Sequence, residues 1–446
     1  MKSFLFSIVT ASNCASFAQD TLQKKVERYT LHFQETTVSQ YRPEFHAAYT
    51  GLHSQTTENQ WATTITSSIF AGVKLWPQAQ VVINPEIAGG HGLSSAYGIA
   101  AFTNGEAFRV GNPDPTIYLA RGFFRQLISF TKEREWQDNT DNKIEQYIPT
   151  KYLSFTIGKV SVSDYFDDNT YSHNPRTQFF SWGLMSNGAW DYAANTRGYT
   201  PSIILEYISK KVELRYALSM MPETANGNTM DKNVAKANAS VLELKYNYAL
   251  RGLIGKISAL VYYNTAFMGS YTAQNIVVVP DSSTPTGQKK EYTITASRQY
   301  GRSKYGAGLN FEQAITRHLG LFARASYNDG KNETWCFTEI DRALSIGASL
   351  NGSSWNRKQD VIGIAYCQSG LSNEHRNYLA AGGLGFMLGD GKLNYGPEHL
   401  FEAFYNLALW TDRIGASVAY QFIMNPGYNK DRGPISVYSI RMHFHI

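Results

Sequence analysis

The sequence lacks long hydrophobic segments and is poor in cysteine and proline. Beyond its first residues, no stretch reaches the ~18 consecutive apolar residues that a membrane-spanning helix requires. The 446 residues include 3 cysteines and 14 prolines, which excludes a disulfide framework and gives no sign of a linker between domains. Cys336 and Cys367 could pair, although an unpaired and buried Cys367 is the favoured interpretation. The formal net charge of +5 is small for this length and gives no case for a nucleic-acid partner.

The N-terminus has the features of a secretory signal. Lys2 supplies a positive charge, Phe4–Val9 is mostly apolar, and small residues precede Gln19. This pattern predicts a signal peptide over residues 1–18. Lipidation at Cys14 is the poorer alternative, because a bulky asparagine precedes that cysteine. We therefore expect an exported protein.

Aromatic residues and glycine are abundant, with 29 Tyr, 24 Phe, 8 Trp and 36 Gly. The dominant pattern is alternation of apolar and polar residues with a period of two, and it is clearest at the C-terminus. One face of that segment carries Tyr438, Ile440, Met442, Phe444 and Ile446. The other face carries Ser439, Arg441, His443 and His445. Such a strand suits a barrel with lipid outside and water inside.

The repeated pattern predicts an all-β fold, a transmembrane antiparallel β-barrel of about 16 strands formed by a single domain over residues 19–446. Tight connections alternate with long ones, as expected for short periplasmic turns and long extracellular loops. We place strands near 28–38, 63–76, 79–88, 116–131, 150–161, 198–208, 211–219, 238–250, 254–266, 303–314, 317–328, 341–351, 358–368, 398–410, 413–424 and 434–446. The polar insert 132–149 falls where a tight turn is expected. It is either a periplasmic excursion or a slip in the strand assignment.

Several charged and amide side chains are predicted to face the lumen, because charge toward lipid costs about 2–4 kcal/mol per arginine near the midplane. In Thr116–Phe130, the pattern puts Leu119, Arg121, Phe123, Arg125 and Leu127 on one side. The arginines could donate to sugar hydroxyls or attract anions, or they could form a wall paired to carboxylates. Further candidates for the lumen are Asn84, Glu86, Arg109, Glu206, Glu243, Glu312 and Glu402.

The segment 162–197 is rich in acids, amides and tryptophans and has little periodicity. It could fold into the mouth of the barrel and narrow it, with aromatic faces covering sugar rings and carboxylates binding hydroxyls. The alternatives are a structural surface loop and a calcium site. Its candidate solute-binding residues are Asp164, Asp167, Asp168, Trp190, Asp191 and Arg197.

The sequence resembles the carbohydrate-selective porins of the OprB type over nearly the whole mature chain. The residues that carry the resemblance are Asn84-Pro85-Glu86 with Gly92-Leu93-Ser94, Asn104 to Ala107, Arg121 to Gln126, Gly158 to Thr200, Gly370-Leu371-Ser372, Asn377 to Tyr405 and the final strand. The resemblance implies a 16-stranded outer-membrane barrel whose lumen admits sugars, is narrowed by inward loops and is lined by arginines and acids. It assigns that lining to Arg121, Arg125 and Glu86.

The predicted function is therefore passive, substrate-selective diffusion of sugars across the outer membrane, with no cofactor and no metal. The alternatives are a general or anion-leaning porin and a non-conducting receptor or adhesin. An enzyme is disfavoured because His443 and His445 have no recognisable nucleophile motif beside them, and a metal on this histidine pair is a minor alternative. The predicted partners are outer-membrane lipid, lipopolysaccharide, small polar solutes and the barrel assembly machinery, with the chain a homotrimer or a monomer.

Overall fold

The computed structural model describes residues 26–107, 113–138, 143–273, 275–410 and 413–446. The predicted signal peptide and Arg109 lie outside the described residues. The described chain contains twenty strands: β1 Tyr29–Arg42, β2 Gln60–Trp76, β3 Ala79–Gly90, β4 Thr116–Ser129, β5 Arg134–Gln137, β6 Gln146–Pro149, β7 Tyr152–Val160, β8 Thr200–Ile208, β9 Val212–Met220, β10 Asn238–Leu250, β11 Leu253–Met268, β12 Ile276–Pro280, β13 Gln288–Tyr292, β14 Gln299–Ala314, β15 Leu319–Asn328, β16 Arg342–Gly352, β17 Arg357–Gly370, β18 Glu398–Trp410, β19 Ile414–Met424 and β20 Ile435–His445. Its two α-helices are α1 Trp182–Met185 and α2 Asn373–Ala380.

Sixteen of these strands form one closed barrel in which every neighbour is antiparallel. The order is β1-β2-β3-β4-β7-β8-β9-β10-β11-β14-β15-β16-β17-β18-β19-β20, and β1 pairs with β20 to close it. Closure leaves no open sheet edge, so the backbone groups of every strand can pair within the protein. Among the described residues, no helix is long and apolar enough to cross a membrane. The predicted barrel of about 16 strands is confirmed.

The outer surface of the barrel is apolar between two levels of aromatic residues. Leu244, Leu309 and Ile346 project outward and are each about half exposed. At the end with long loops, the rings of Tyr41 and Trp61 lie 4.8 Å apart. Aromatic rings also cluster at the end with short turns, and an apolar band between two such girdles is typical of a barrel in a bilayer.

The alternation in β4 shifts by one residue at a β-bulge, which corrects the predicted parity. Asn84 pairs with Arg121, but the next residue, Pro85, pairs with Leu119. Proline has no backbone N–H for the ladder, and such residues occur at bulges. As a result Leu119 faces outward while Tyr118 and Arg121 both face the lumen.

The insert 132–149 forms a separate two-stranded hairpin, β5–β6, between β4 and β7. The hairpin lies at the short-turn end, and Ile144 is buried against Gly72 on the inner face of β2. A Cβ on Gly72 would lie only 2.5 Å from the Cδ1 atom of Ile144, so a side chain at position 72 would displace Ile144. Since β4 and β7 pair directly, the insert is an excursion and not a slip in the strand assignment.

Both cysteines of the described region are free and buried. Cys367 lies on the inner face of β17, as predicted for an unpaired cysteine. Cys336 lies in the connection between β15 and β16, and the two thiols do not form a disulfide.

Candidate channel and constriction

The connection between β7 and β8, residues 161–199, runs inside the barrel, and we call it the inserted loop. Carboxylates on the barrel wall hold its backbone. Glu243 accepts the N–H of Asp167 at 2.7 Å, and Glu312 accepts the N–H of Thr170 at 2.6 Å. Backbone N–H groups inside a barrel must find partners, and these glutamates provide them. The predicted lumen carboxylates Glu243 and Glu312 are therefore anchors of the loop.

Glu402 performs the same task farther along the inserted loop. It accepts the N–H groups of Phe180 and Ser181 at 2.5 and 2.8 Å. Arg441 on β20 donates to the carbonyl oxygens of Pro175 and Gln178. These contacts hold this part of the loop against β18 and β20.

Arg324 on β15 makes the densest set of contacts with the inserted loop. Its guanidinium is fully buried and donates to Asp167 Oδ1 at 3.0 Å, to both oxygens of Ser172 and to the carbonyl of Leu184. Asp167 also accepts from the backbone N–H and the side chain of Asn187. A buried ion pair is stable only when such hydrogen bonds satisfy its remaining groups.

The inner part of the inserted loop packs as an aromatic core. Trp182 lies 4.3 Å from the ring of Phe337 and 5.3 Å from that of Tyr192, and Trp190 packs against Phe166. Asp191 joins this core to the connection between β15 and β16, because its carboxylate accepts the backbone N–H groups of residues 335, 336 and 337 at 2.8–2.9 Å. This core fills one side of the lumen.

A cavity of about 660 Å³ remains on the other side, along the wall formed by β1 to β11. It reaches from Tyr118 and Arg197, near the long-loop ends of the strands, to Gln80 and Ile148 near the short-turn end. The cavity therefore follows the length of the barrel. Its volume lies in the range of small-molecule sites, about 300–1,000 Å³.

Ion pairs cross the cavity between the inserted loop and the wall. Arg121 donates to both oxygens of Asp164 at 2.6 and 2.8 Å. Arg176 bridges two carboxylates, with Nε 2.9 Å from Glu106 and Nη2 3.3 Å from Glu86. Guanidinium forks bind carboxylates with fixed geometry, so these pairs set the shape of this part of the cavity, which we call the candidate constriction.

Two tyrosines complete the constriction. Tyr118 and Tyr199 donate their hydroxyls to Glu86, the latter at 3.2 Å. The guanidinium of Arg197 lies 4.0 Å from the centre of the Tyr118 ring, and that of Arg121 lies 5.1 Å from the Tyr199 ring. Tyrosine rings and arginine guanidinium groups therefore alternate along the cavity.

Two acids of the loops that line the cavity, Glu106 and Asp168, have lowered pKa values. Burial disfavours the charged form of Glu106, but the charge and hydrogen bond of Arg176 outweigh it and lower the pKa of that carboxyl. Burial also opposes ionisation of Asp168, yet Lys245 and Lys256 keep its pKa well below the usual range. Opposite charges within a few Å produce such shifts.

Toward the short-turn end, the cavity wall carries a network of positively and negatively charged side chains. Arg125 donates to Glu206 at 3.3 Å, and Arg215 contacts Glu206, Glu213 and Glu243. The cationic side chains are thus matched by carboxylates instead of forming a bare positive surface.

The structure places the predicted site residues in three groups. Glu86, Arg121, Arg125, Asp164, Asp168 and Arg197 line the cavity. Asn84 lies behind the cavity, where it accepts from Arg121 at 2.9 Å and thereby orients it. Asp167, Trp190 and Asp191 are not among the residues that line the cavity, because each is buried and holds the inserted loop together. Their role in solute binding stays a prediction.

Four residues of the constriction were missed as site residues: Tyr118, Glu106, Arg176 and Tyr199. Tyr118 was missed because the bulge in β4 reverses its parity. The other three lie in loops without periodicity, where no pattern predicts side-chain direction. For Glu106, the segment from Asn104 to Ala107, which carries part of the resemblance to the OprB family, was the one signal in the sequence that could have indicated a site residue.

Among the residues that the structure describes, no three His, Cys, Asp or Glu side chains converge as metal ligands. His443 faces inward and shares a hydrogen bond with Thr36 at 2.9 Å. Its ring lies 5.4 Å from that of His445, so the pair forms part of the polar wall.

The family model of the carbohydrate-selective porin, OprB family, matches residues 53–446. In fold, the chain is similar to the high-pH structure of OprB from Pseudomonas putida, with a TM-score of 0.70 and 15% sequence identity over 94% of each chain. It is also similar to the outer membrane channel DcaP of Acinetobacter baumannii, with a TM-score of 0.52 and 10% identity over 94% of this chain and 97% of that one. At these identities the two structures support the fold alone. No curated protein matches the chain.

The family match covers most of the chain, and the closed barrel and its lengthwise cavity agree with it. The chain therefore belongs to the OprB family of carbohydrate-selective porins, and it is an integral outer-membrane channel for sugar diffusion, not an enzyme.

Proposed function

We propose that this porin selects neutral saccharides by hydrogen bonds from the ion pairs of its constriction. The observation that carries the proposal is the pairing of nearly every charge along the cavity, as in Arg121 with Asp164 and Arg176 with Glu86 and Glu106. A paired guanidinium keeps further N–H donors, and a paired carboxylate keeps free lone pairs. Such a lining offers many hydrogen bonds and little net charge, which favours polyhydroxylated neutral solutes over ions.

The tyrosines supply the apolar part of the same site. A pyranose has one face of C–H groups, and an aromatic ring covers such a face while polar groups bind the hydroxyls. Tyr118 and Tyr199 would cover this face of the sugar, because their rings line the cavity beside Glu86. Binding must remain weak, since a conducting site has to release its solute.

The deciding experiment is a planar-bilayer recording of the purified protein, titrated with mono- and oligosaccharides and with simple salts. We expect stepwise channel currents that are blocked by a saturating concentration of sugar. The channel should show little preference between small cations and small anions. Steps that no sugar blocks would instead indicate a general porin. A strong anion preference would favour the anion-leaning alternative.

Replacing both Arg121 and Arg125 with alanine tests the role of the arginines on β4. We expect a changed conductance, a shift toward cations and weaker sugar block, because Asp164 loses its arginine partner and Glu206 keeps only Arg215. Arg413→Ala is a matched control, since this exposed arginine follows β18 and lies outside the cavity lining. Unaltered currents and sugar block in the double variant would contradict the assignment.

The hairpin β5–β6 is proposed to narrow the periplasmic exit. Gln137, Lys143 and Ile148 line the cavity there, and Ile144 fixes the hairpin against Gly72. Gly72→Val should push out Ile144, shift the hairpin and raise the conductance. Ala71→Val, whose side chain faces lipid, is the control, and equal conductance of the two variants would contradict the role of the hairpin.

We also infer that the assembly machinery recognises the final strand through Phe444, at the end of the apolar face of β20, and Ile446, which directly follows that strand. Lipopolysaccharide is the expected lipid partner at the long-loop end. Both inferences rest on the outer-membrane location of the barrel.

A further inference from the structure

A second group of aromatic rings lines the cavity besides Tyr118 and Tyr199. We call it the aromatic wall, and its members are Phe102, Trp182, Tyr192, Phe337 and Phe386. Three of these rings are almost fully buried, whereas those of Phe337 and Phe386 remain partly exposed. The aromatic wall therefore presents chiefly two phenylalanine rings to the cavity.

The ring of Phe337 is held in place by its neighbours. It lies 4.3 Å from the ring of Trp182 and 4.8 Å from that of Tyr192, with which it is nearly parallel at 19°. Its backbone N–H donates to Asp191 at 2.9 Å, which ties it to the inserted loop. The ring is therefore preorganised, and binding a ligand requires little further ordering of this side chain.

Phe386 reaches the cavity from a different connection, the one between β17 and β18. The two residues that follow it, Met387 and Leu388, donate their backbone N–H groups to the buried Glu339 at 3.0 and 2.8 Å. Glu339 lies two residues after Phe337, so the same segment positions both phenylalanines. Apolar surface that is held open to a water-filled cavity indicates a binding surface.

The aromatic wall adjoins the ion pairs of the candidate constriction. The connection between β3 and β4 contacts the inserted loop at two places: the N–H of Trp182 donates to the carbonyl of Phe102 at 3.2 Å, and Arg176 donates to Glu106 at 2.9 Å. Phe102 and Glu106 are four residues apart, which spans at most about 14 Å. A ligand of two joined rings can therefore contact both regions at once.

We propose that the cavity binds glycosides that carry a flat apolar group, an aryl aglycone, on the sugar. This inference rests on the proposed function, in which the sugar lies among the ion pairs of the candidate constriction. The aglycone then lies on Phe337 and Phe386. Stacked and edge-to-face contacts between aromatic rings add to the gain from burying apolar surface.

A second sugar unit fits the aromatic wall less well than an aryl group does. Sugar hydroxyls that leave water need hydrogen-bond partners, and phenylalanine rings offer none. The polar groups beside Phe337 are engaged with each other and with the backbone. Thr196 donates its hydroxyl to Asn226 at 3.0 Å, and Asn226 donates its amide to the carbonyl of Cys336 at 2.6 Å.

The test is single-channel block in planar bilayers by three ligands: phenyl β-glucoside, methyl β-glucoside and a β-linked glucose disaccharide. They share the glucose ring and the linkage and differ in the attached group. Phenyl β-glucoside should reach half-block at a concentration about tenfold lower than methyl β-glucoside, which corresponds to about 1.4 kcal/mol. It should also block at a lower concentration than the disaccharide.

Substitutions in the aromatic wall assign this preference to its rings. The double variant Phe337→Leu with Phe386→Leu should remove most of the phenyl preference and leave block by methyl β-glucoside unchanged, because leucine keeps the apolar packing. Phe386→Leu alone leaves the stack around Phe337 intact and should remove part of the preference. Phe401→Leu, on the exposed outer face of β18, is the matched control for partition of the phenyl group into the membrane.

The outcomes separate this inference from the proposed selectivity. Block by methyl β-glucoside without a phenyl preference would overturn the aglycone site and leave the proposed selectivity intact. Stronger block by the disaccharide, or a phenyl preference that survives in the double variant, would also overturn it. Absence of block by all three ligands would contradict the proposed selectivity and the aglycone site together.

Discussion

Arg324→Ala is expected to release the inserted loop from the barrel wall and to raise the single-channel conductance several-fold. The guanidinium is buried and holds Asp167, Ser172 and the carbonyl of Leu184 at once. Removing one partner of a buried ion pair costs about 3–5 kcal/mol, because the other charge remains unpaired. Asp167 would be that charge, and the loop could relieve it only by moving toward water.

The measurement is conductance in planar bilayers together with the size limit for sugars in liposome swelling. Lys210→Ala provides the control, because its ion pair with Glu133 is exposed and such pairs contribute about 1 kcal/mol or less. If Arg324→Ala kept the wild-type conductance and size limit, the inserted loop would not depend on this anchor.

Arg176→Ala is expected to convert the channel to a cation-preferring one. Arg176 is the cation that bridges Glu86 and Glu106, both of which are almost fully buried. Two adjacent carboxylates would then face the cavity without it. A unit charge at 4 Å is worth about 4 kcal/mol at an effective dielectric constant of 20, so a rise of about tenfold or more in the cation-to-anion permeability ratio is expected.

Reversal potentials in a salt gradient measure that ratio. Arg176→Lys keeps the charge and should keep the ion preference, although lysine cannot reproduce the two-pronged contact and sugar block should weaken. An unchanged reversal potential in Arg176→Ala would mean that these carboxylates do not face the conducting path.

The barrel could be predicted from the sequence because a strand between lipid and water must alternate along its whole length. That requirement leaves a signal in every strand, and the final one, with Arg441 and His443 opposite Ile440 and Met442, shows it most clearly. The prediction failed locally in β4, where Pro85 on the neighbouring strand accompanies a bulge. Nothing in the alternation of β4 alone reveals a change imposed by its neighbour.

The site could be predicted only where residues belong to strands. The period of two is enough to direct Arg121, Arg125 and Glu86 inward, but it does not give their partners. In the inserted loop, Asp164 lines the cavity while Asp167, three residues later, is buried against Arg324. Which acid faces the cavity depends on contacts with other strands, Arg121 at 43 residues from Asp164 and Arg324 at 157 residues from Asp167, and composition carries no information about them.

The manner in which the wall glutamates hold the inserted loop has a consequence for how selectivity can change. These carboxylates accept hydrogen bonds from main-chain N–H groups, which every amino acid except proline provides; they belong to Glu243, Glu312 and Glu402. Side chains that project from the same loop into the cavity can therefore be exchanged without loosening these attachments. A small set of fixed attachment points on the barrel thus leaves the loop free to diversify, so that related pores could acquire different solute preferences by point substitutions alone.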